Sequence, residues 1–81
     1  MTDDFLQPGQ PCVGQLWRHY KGDSYRIALL GTDESSGEPA VAYQSLTTGR
    51  VWFRTLENFM STAIDVVRRE VPRFTRVEDS Q

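Results

Sequence analysis

Three turn signals cut the first two thirds of the chain into short runs: Lys21-Gly22-Asp23, the polar loop Thr32 to Pro39, and Thr47-Thr48-Gly49. Between them the residues alternate with a period of two, the pattern of strands rather than helices. Leu16 to Tyr20 fits a first strand. Tyr25 to Leu30 fits a second, with Tyr25, Ile27 and Leu29 on one face and Arg26, Ala28 and Leu30 on the other. Gly31 interrupts that run, and a bulge there would invert part of its faces. Ala40 to Leu46 is a third strand, with Val41 and Tyr43 sharing a face. Arg50 to Arg54 returns from the next turn with Val51 and Phe53 inward and Trp52 and Arg54 on the opposite side. Thr55 is placed to cap a single helical turn, Leu56 to Met60. Thr62 to Val67 and Glu70 to Val77 complete the set, and Pro72, which has no N–H for a ladder, assigns the last strand to an edge. Regularly spaced short strands with one helical turn before the final pair predict an all-β fold, a small SH3-like β-barrel of about five strands.

At 81 residues the chain holds one domain. Residues 1 to 12, with Pro8-Gly9 and Pro11, read as an irregular N-terminal arm; 13 to 77 form the barrel domain and 78 to 81 an acidic C-terminal tail. A domain of this size buries about 60% of its unfolded surface, enough for one thin core but few deep catalytic pockets. The single cysteine, Cys12, and the single histidine, His19, mean that no internal disulfide forms and that no closed tetrahedral zinc site of the common kinds is built within the chain. No metal and no cofactor are expected. The longest apolar run, Ile27 to Leu30, falls far short of the roughly 20 residues that span a bilayer. Met1-Thr2-Asp3-Asp4 is acidic where a secretory signal is basic. These features place the protein in the cytoplasm with no membrane partner.

The net charge of -2 is unevenly spread. Asp3, Asp4, Glu78 and Asp79 make the ends acidic, leaving nine cations against seven carboxylates between residues 13 and 77. Eight of the nine cations are arginines, which suit planar or bidentate recognition of anions, although a high-GC codon bias produces the same excess.

The segments WRHYKGDSYRI, VAYQSL, VWFRTLENFM and REVPRF follow one another in an order that resembles the bacterial family called domain of unknown function 1653. The resemblance covers residues 13 to 77, and it implies an SH3-like barrel with no established function. By matching position it carries over His19, Tyr20, Lys21, Gly22, Tyr25, Tyr43, Trp52, Arg54, Phe59, Val71, Pro72, Arg73 and Phe74. The chain departs from the family pattern at three places. Asp33-Glu34-Ser35-Ser36 stands where relatives carry a His-Ser-Glu-Thr stretch, Thr55 replaces a proline, and Val67-Arg68 replaces an Asp-Gly turn. The last hairpin is therefore expected to be built differently.

The candidate ligand-binding residues are His19, Tyr20, Lys21, Gly22, Tyr43, Trp52, Arg54 and Arg73. Lys21-Gly22 offers an ammonium beside bare backbone N–H groups, or simply a hairpin tip. Trp52 beside Arg54, with Tyr20 and Tyr43, offers a surface that stacks planar groups. Arginines interleaved with aromatics describe single-strand nucleic-acid platforms, while the modest charge argues for weak electrostatic binding. The reading is a small binding module for an anionic planar ligand or single-stranded nucleic acid; the alternative is a protein–protein interaction module. The chain is expected to be a monomer or a weak homo-oligomer, and not an enzyme. A small hydrolase using His19 ranks lower, because a triad needs a nucleophile, base and orienter converging beside an oxyanion hole. His19 is expected to be structural, hydrogen-bonded across the barrel, and Cys12 an ordinary exposed thiol.

Overall fold

In the computed structural model the described residues are 9–77; most of the expected arm and all of the acidic tail lie outside them. The strand runs become seven strands and one helical turn: β1 (Leu16–His19), β2 (Ser24–Thr32), β3 (Pro39–Ser45), β4 (Val51–Thr55), α1 (Leu56–Phe59), β5 (Thr62–Ile64), β6 (Glu70–Pro72) and β7 (Phe74–Val77). The all-β architecture with one helical turn is as the alternation implies. A five-stranded antiparallel sheet runs β4-β3-β2-β1-β7, and β5 and β6 form a separate hairpin. The run read as Glu70 to Val77 is split at Arg73, so Pro72 ends β6 opposite Thr62 in a two-stranded ladder where each strand has an open side.

Two face assignments are corrected. The bulge lies not at Gly31 but between Ile27 and Leu29, where the register against β3 shifts by one residue. Ile27 is therefore buried while Leu29 turns out to solvent and Leu30 packs against the core instead. In β4, Tyr43 lies directly opposite Trp52 and Val41 opposite Arg54, and cross-strand partners share a face. Val41 and Tyr43 are buried, so Trp52 and Arg54 face inward and Val51 and Phe53 outward, the reverse of the expected arrangement. Phe53 is 72% exposed. The physical reason is that Arg54 reaches a buried partner, the Tyr43 hydroxyl, and so tolerates the inner face.

The core is aromatic: Trp17, Tyr43, Phe59 and Phe74 pack with Ile27 and Val41. Phe59 stacks on Phe74 at 4.1 Å between centroids, and Trp17 meets Phe59 edge-on at 5.2 Å. The buried indole N–H of Trp17 donates to Gln15 Oε1 at 3.1 Å. The expected cap is present: Thr55 Oγ1 accepts from Asn58 N at 3.1 Å, and this single turn delivers Phe59 to the core. Asp65 stops β5 early, because its Oδ1 accepts from the N–H groups of Val67 and Arg69. Arg68 fills the left-handed position of that turn at φ 68°, so the hairpin expected to be built differently at Val67-Arg68 is closed without a glycine.

Candidate functional site

The β1–β2 turn is tight. His19 N donates to Asp23 O and Gly22 N to His19 O, both at 2.8 Å, and Gly22 sits at φ 115°, a conformation that favours glycine. Gly22 is thus explained by the turn. Lys21 projects from its tip, with Nζ 5.9 Å from the centre of the Tyr20 ring.

Beside this turn, β7 brings Phe74 opposite His19, and the two rings meet edge-on at 4.9 Å. Tyr20 tilts against the other side of the imidazole at 4.6 Å. Tyr20 N donates to Arg73 O at 2.9 Å, which ties the β1–β2 turn to the junction between β6 and β7. The Arg73 side chain is fixed there in turn: Nε donates to Ser61 Oγ at 3.1 Å and Nη2 to Thr62 O at 3.2 Å. Arg54 enters from β4. Its Nε donates to the Tyr43 hydroxyl at 2.6 Å, its Nη1 to Asn58 Oδ1, and its guanidinium lies 5.6 Å from the centre of the Phe74 ring.

Three cations therefore act on one imidazole. His19 titrates below its ordinary value of 6.5, first because burial disfavours the charged form and then because Arg54, Lys21 and Arg73 repel it; Asp23 opposes them. Tyr25 is held above its ordinary 10.0, chiefly by burial, with Asp23 and Tyr43 adding to the shift. Among the described residues the one salt bridge is Arg69 Nε to Asp65 Oδ2 at 3.2 Å, so none of the three cations around His19 has a described carboxylate paired to it.

The structure brings His19, Tyr20, Lys21, Arg54 and Arg73 together. Tyr43 belongs to the same cluster but lies in the core and takes part through its hydroxyl; it offers no ring face to solvent. Trp52 stands on the same sheet face at 44% exposure, where its neighbour is the Arg50 guanidinium at 5.2 Å rather than His19. His19 is not bonded across the sheet as expected. Its Nδ1 accepts from the Lys21 backbone N–H at 3.2 Å, a local bond that leaves the proton on Nε2. The group behind the imidazole is thus a donor, the reverse of the carboxylate acceptor that orients a catalytic histidine. Cys12 is exposed and unbridged, as expected. No group of three or more His, Cys, Asp or Glu side chains converges among the described residues.

Sequence reasoning left Asn58, Ser61 and Thr62 out of the site. Asn58 lies one helical turn after Arg54, a spacing that counts as a signal only once Arg54 is known to face inward. Tyr25 and Phe74 stood among the motif residues without being assigned a role; they form its aromatic wall, 5.9 Å apart. A groove opens between the β1–β2 turn and the end of β5, lined by Tyr20, Lys21, Ile64, Asp65 and Val66.

Residues 15–76 match the family model described as "Protein of unknown function (DUF1653)". The chain belongs to the DUF1653 family. It is also similar to a crystal structure of a protein belonging to DUF1653 from Bordetella bronchiseptica, with a TM-score of 0.73 and 26% identity over 94% of this chain and 96% of that one. No curated protein matches. The resemblance carried by the motif order, expected over residues 13 to 77, is borne out over 15–76. Of the residues that the motif resemblance carried over, His19, Tyr25, Tyr43, Arg54 and Phe74 lie in successive ring or guanidinium contact. Among the described residues, no helix is long and apolar enough to cross a membrane.

Proposed function

We propose that residues 13–77 form a cytoplasmic binding module that holds an anionic, planar ligand, a nucleotide or single-stranded nucleic acid, at the cationic rim around His19. The observation that carries this reading is the convergence of Lys21, Arg54 and Arg73 on one imidazole without a paired carboxylate among the described residues. Like charges gathered at one place repel, and a bound anion relieves that repulsion. Arg54 and Arg73 are already held by side-chain and backbone acceptors, so little rotamer freedom is lost when an anion arrives. Tyr20 supports the stacking half of the reading, because its half-buried ring edges the open groove beside Lys21. The small excess of cations over carboxylates in the domain sets the affinity in a weak, salt-sensitive range.

An amide chemical-shift titration with a short mixed-sequence single-stranded oligonucleotide, at low and then physiological salt, tests this. Shifts clustered at Tyr20 to Gly22, Arg54 and Arg73 that persist at physiological salt are expected. Arg73→Gln and Lys21→Gln are each expected to weaken binding by about tenfold, the loss of one charge-assisted phosphate contact. Arg18→Gln, at an exposed position on the outer side of β1, is expected to change it little. Binding that ignores these substitutions, or that is absent even at low salt, removes the nucleic-acid reading.

A further inference from the structure

The inner sheet face accounts for Trp52 and Arg54, but the backbone of β4 and the outward Phe53 remain unexplained. β4 is an edge strand, last in the order β4-β3-β2-β1-β7. Which of its backbone groups are free follows from the ladder. Ser45 N donates to Arg50 O at 2.8 Å, so Ser45 and Arg50 form a hydrogen-bonded pair. Alternation then makes Tyr43–Trp52 and Val41–Arg54 hydrogen-bonded pairs too, and it turns the N–H and C=O groups of Val51, Phe53 and Thr55 to the open side. Those of Val51 and Phe53 have no strand beyond them among the described residues, and the C=O of Thr55, the N-cap of α1, is taken by the helical turn. The outward side chains nearby are apolar as well: Leu29 and Phe53 stand 64% and 72% exposed on either side of the buried Ala42, which is register partner to both. Natural edge strands are commonly guarded by an inward charge, a lysine, a proline or a bulge; β4 has no lysine, proline or bulge, and its one inward charge, Arg54, is engaged by the Tyr43 hydroxyl.

We propose that β4 pairs antiparallel with β4 of a second copy of this chain, about a two-fold axis at Phe53, to join two five-stranded sheets. The argument for a second copy is self-complementarity. An axis at Phe53 sets Phe53 against its own copy and Val51 against Thr55, so the outward N–H and C=O of Phe53 pair with those of its copy and the C=O of Val51 meets the N–H of Thr55. On the outer face the two Phe53 rings lie side by side, and the Leu29–Ala42–Phe53 strips of the two copies join into one. On the inner face Trp52 lies opposite the second copy's Arg54, which gives the half-exposed indole a side chain with an apolar stem and a cation to cover it. The same register carries Arg50 to the end of the other strand, where Glu57 opens the helical turn, so opposite charges meet there. Only this register sets Phe53 against its own copy and Trp52 against Arg54: an axis at Trp52 pairs Val51 with Phe53, and one at Arg54 pairs Phe53 with Thr55.

Sedimentation velocity of the full chain from micromolar to millimolar concentration, with three variants, tests the pairing. The wild type is expected to show a reversible monomer–dimer equilibrium. Phe53→Lys sets a charge against its own copy, and Phe53→Pro removes an N–H that points away from β3 and therefore costs no bond within the sheet. Each is expected to weaken dimerisation by about tenfold or more. Val66→Lys, at a residue 98% exposed in the turn after β5, is expected to leave it unchanged. A strict monomer at millimolar concentration, or a dimer as strong in both Phe53 variants as in the wild type, overturns the proposal. So does a monomer whose β4 amides respond instead to an added extended peptide, since the occupant is then a different partner.

Discussion

The inner and outer faces of the β2–β3–β4 sheet both carry large apolar side chains and have opposite roles. The inner face carries Tyr25, Ile27, Leu30, Val41, Tyr43, Trp52 and Arg54; the outer carries Arg26, Leu29, Ala42, Gln44, Val51 and Phe53. By hydropathy alone the outer face of β4 is the better candidate for a core, since it has a valine and a phenylalanine where the inner face has an arginine. The aromatic set decides against it. Phe59 from α1 and Phe74 from β7 stack over one side of the sheet, and Tyr43 fits beneath them. An arginine on that side costs little when its guanidinium meets a tyrosine hydroxyl, an asparagine carbonyl and an aromatic ring. Polarity at an inward position here marks the rim of the aromatic core, where Arg54 is held by Tyr43 and Asn58.

The sharpest way to break this comparison is to truncate one phenylalanine on each side. Phe59→Ala is expected to lose about 3–5 kcal/mol, enough to unfold a domain this small, whereas Phe53→Ala should stay within about 0.5 kcal/mol in the monomer. Urea melts at low concentration read both, and comparable losses would mean that the faces are wrongly assigned. A finer cut separates neighbours across the bulge: Leu30→Ala is expected to cost about 1–2 kcal/mol and Leu29→Ala about 0.5 or less. If Leu29→Ala proves the costlier of the two, the bulge does not lie where the register places it.

Strand existence, turn positions and the Thr55 cap were legible because each rests on local chemistry: alternation, glycine and polar turns, and a side-chain oxygen at the right offset. Facing was not. Parity divides a strand into two sets of residues without saying which is inside, and one inserted residue between Ile27 and Leu29 exchanges the sets halfway along β2. For β4 the deciding contacts come from Tyr43, Asn58 and Phe74, and the last lies twenty residues along the chain from Arg54. Of the site, motif order pointed to His19, Tyr20, Lys21, Arg54 and Arg73, which do converge. It could not show that Tyr43 is buried, since that depends on Phe59 and Phe74 packing over it from distant parts of the chain.

The cations around His19 are proposed to receive an anion, and the chain's single histidine is a built-in reporter of that binding. In the free protein burial, with Arg54, Lys21 and Arg73, holds the imidazole below 6.5. The unfolded chain then binds the proton more readily than the folded one, so His19's contribution to stability is full above 6.5 and is lost as the pH falls below it. An anion seated among the three cations offsets their repulsion and favours the imidazolium. The decisive measurement is the NMR titration of the His19 ring protons with and without a saturating single-stranded oligonucleotide at physiological salt. The account requires a midpoint below 6.5 that moves upward when the oligonucleotide is added. A midpoint that the oligonucleotide leaves where it was would contradict it.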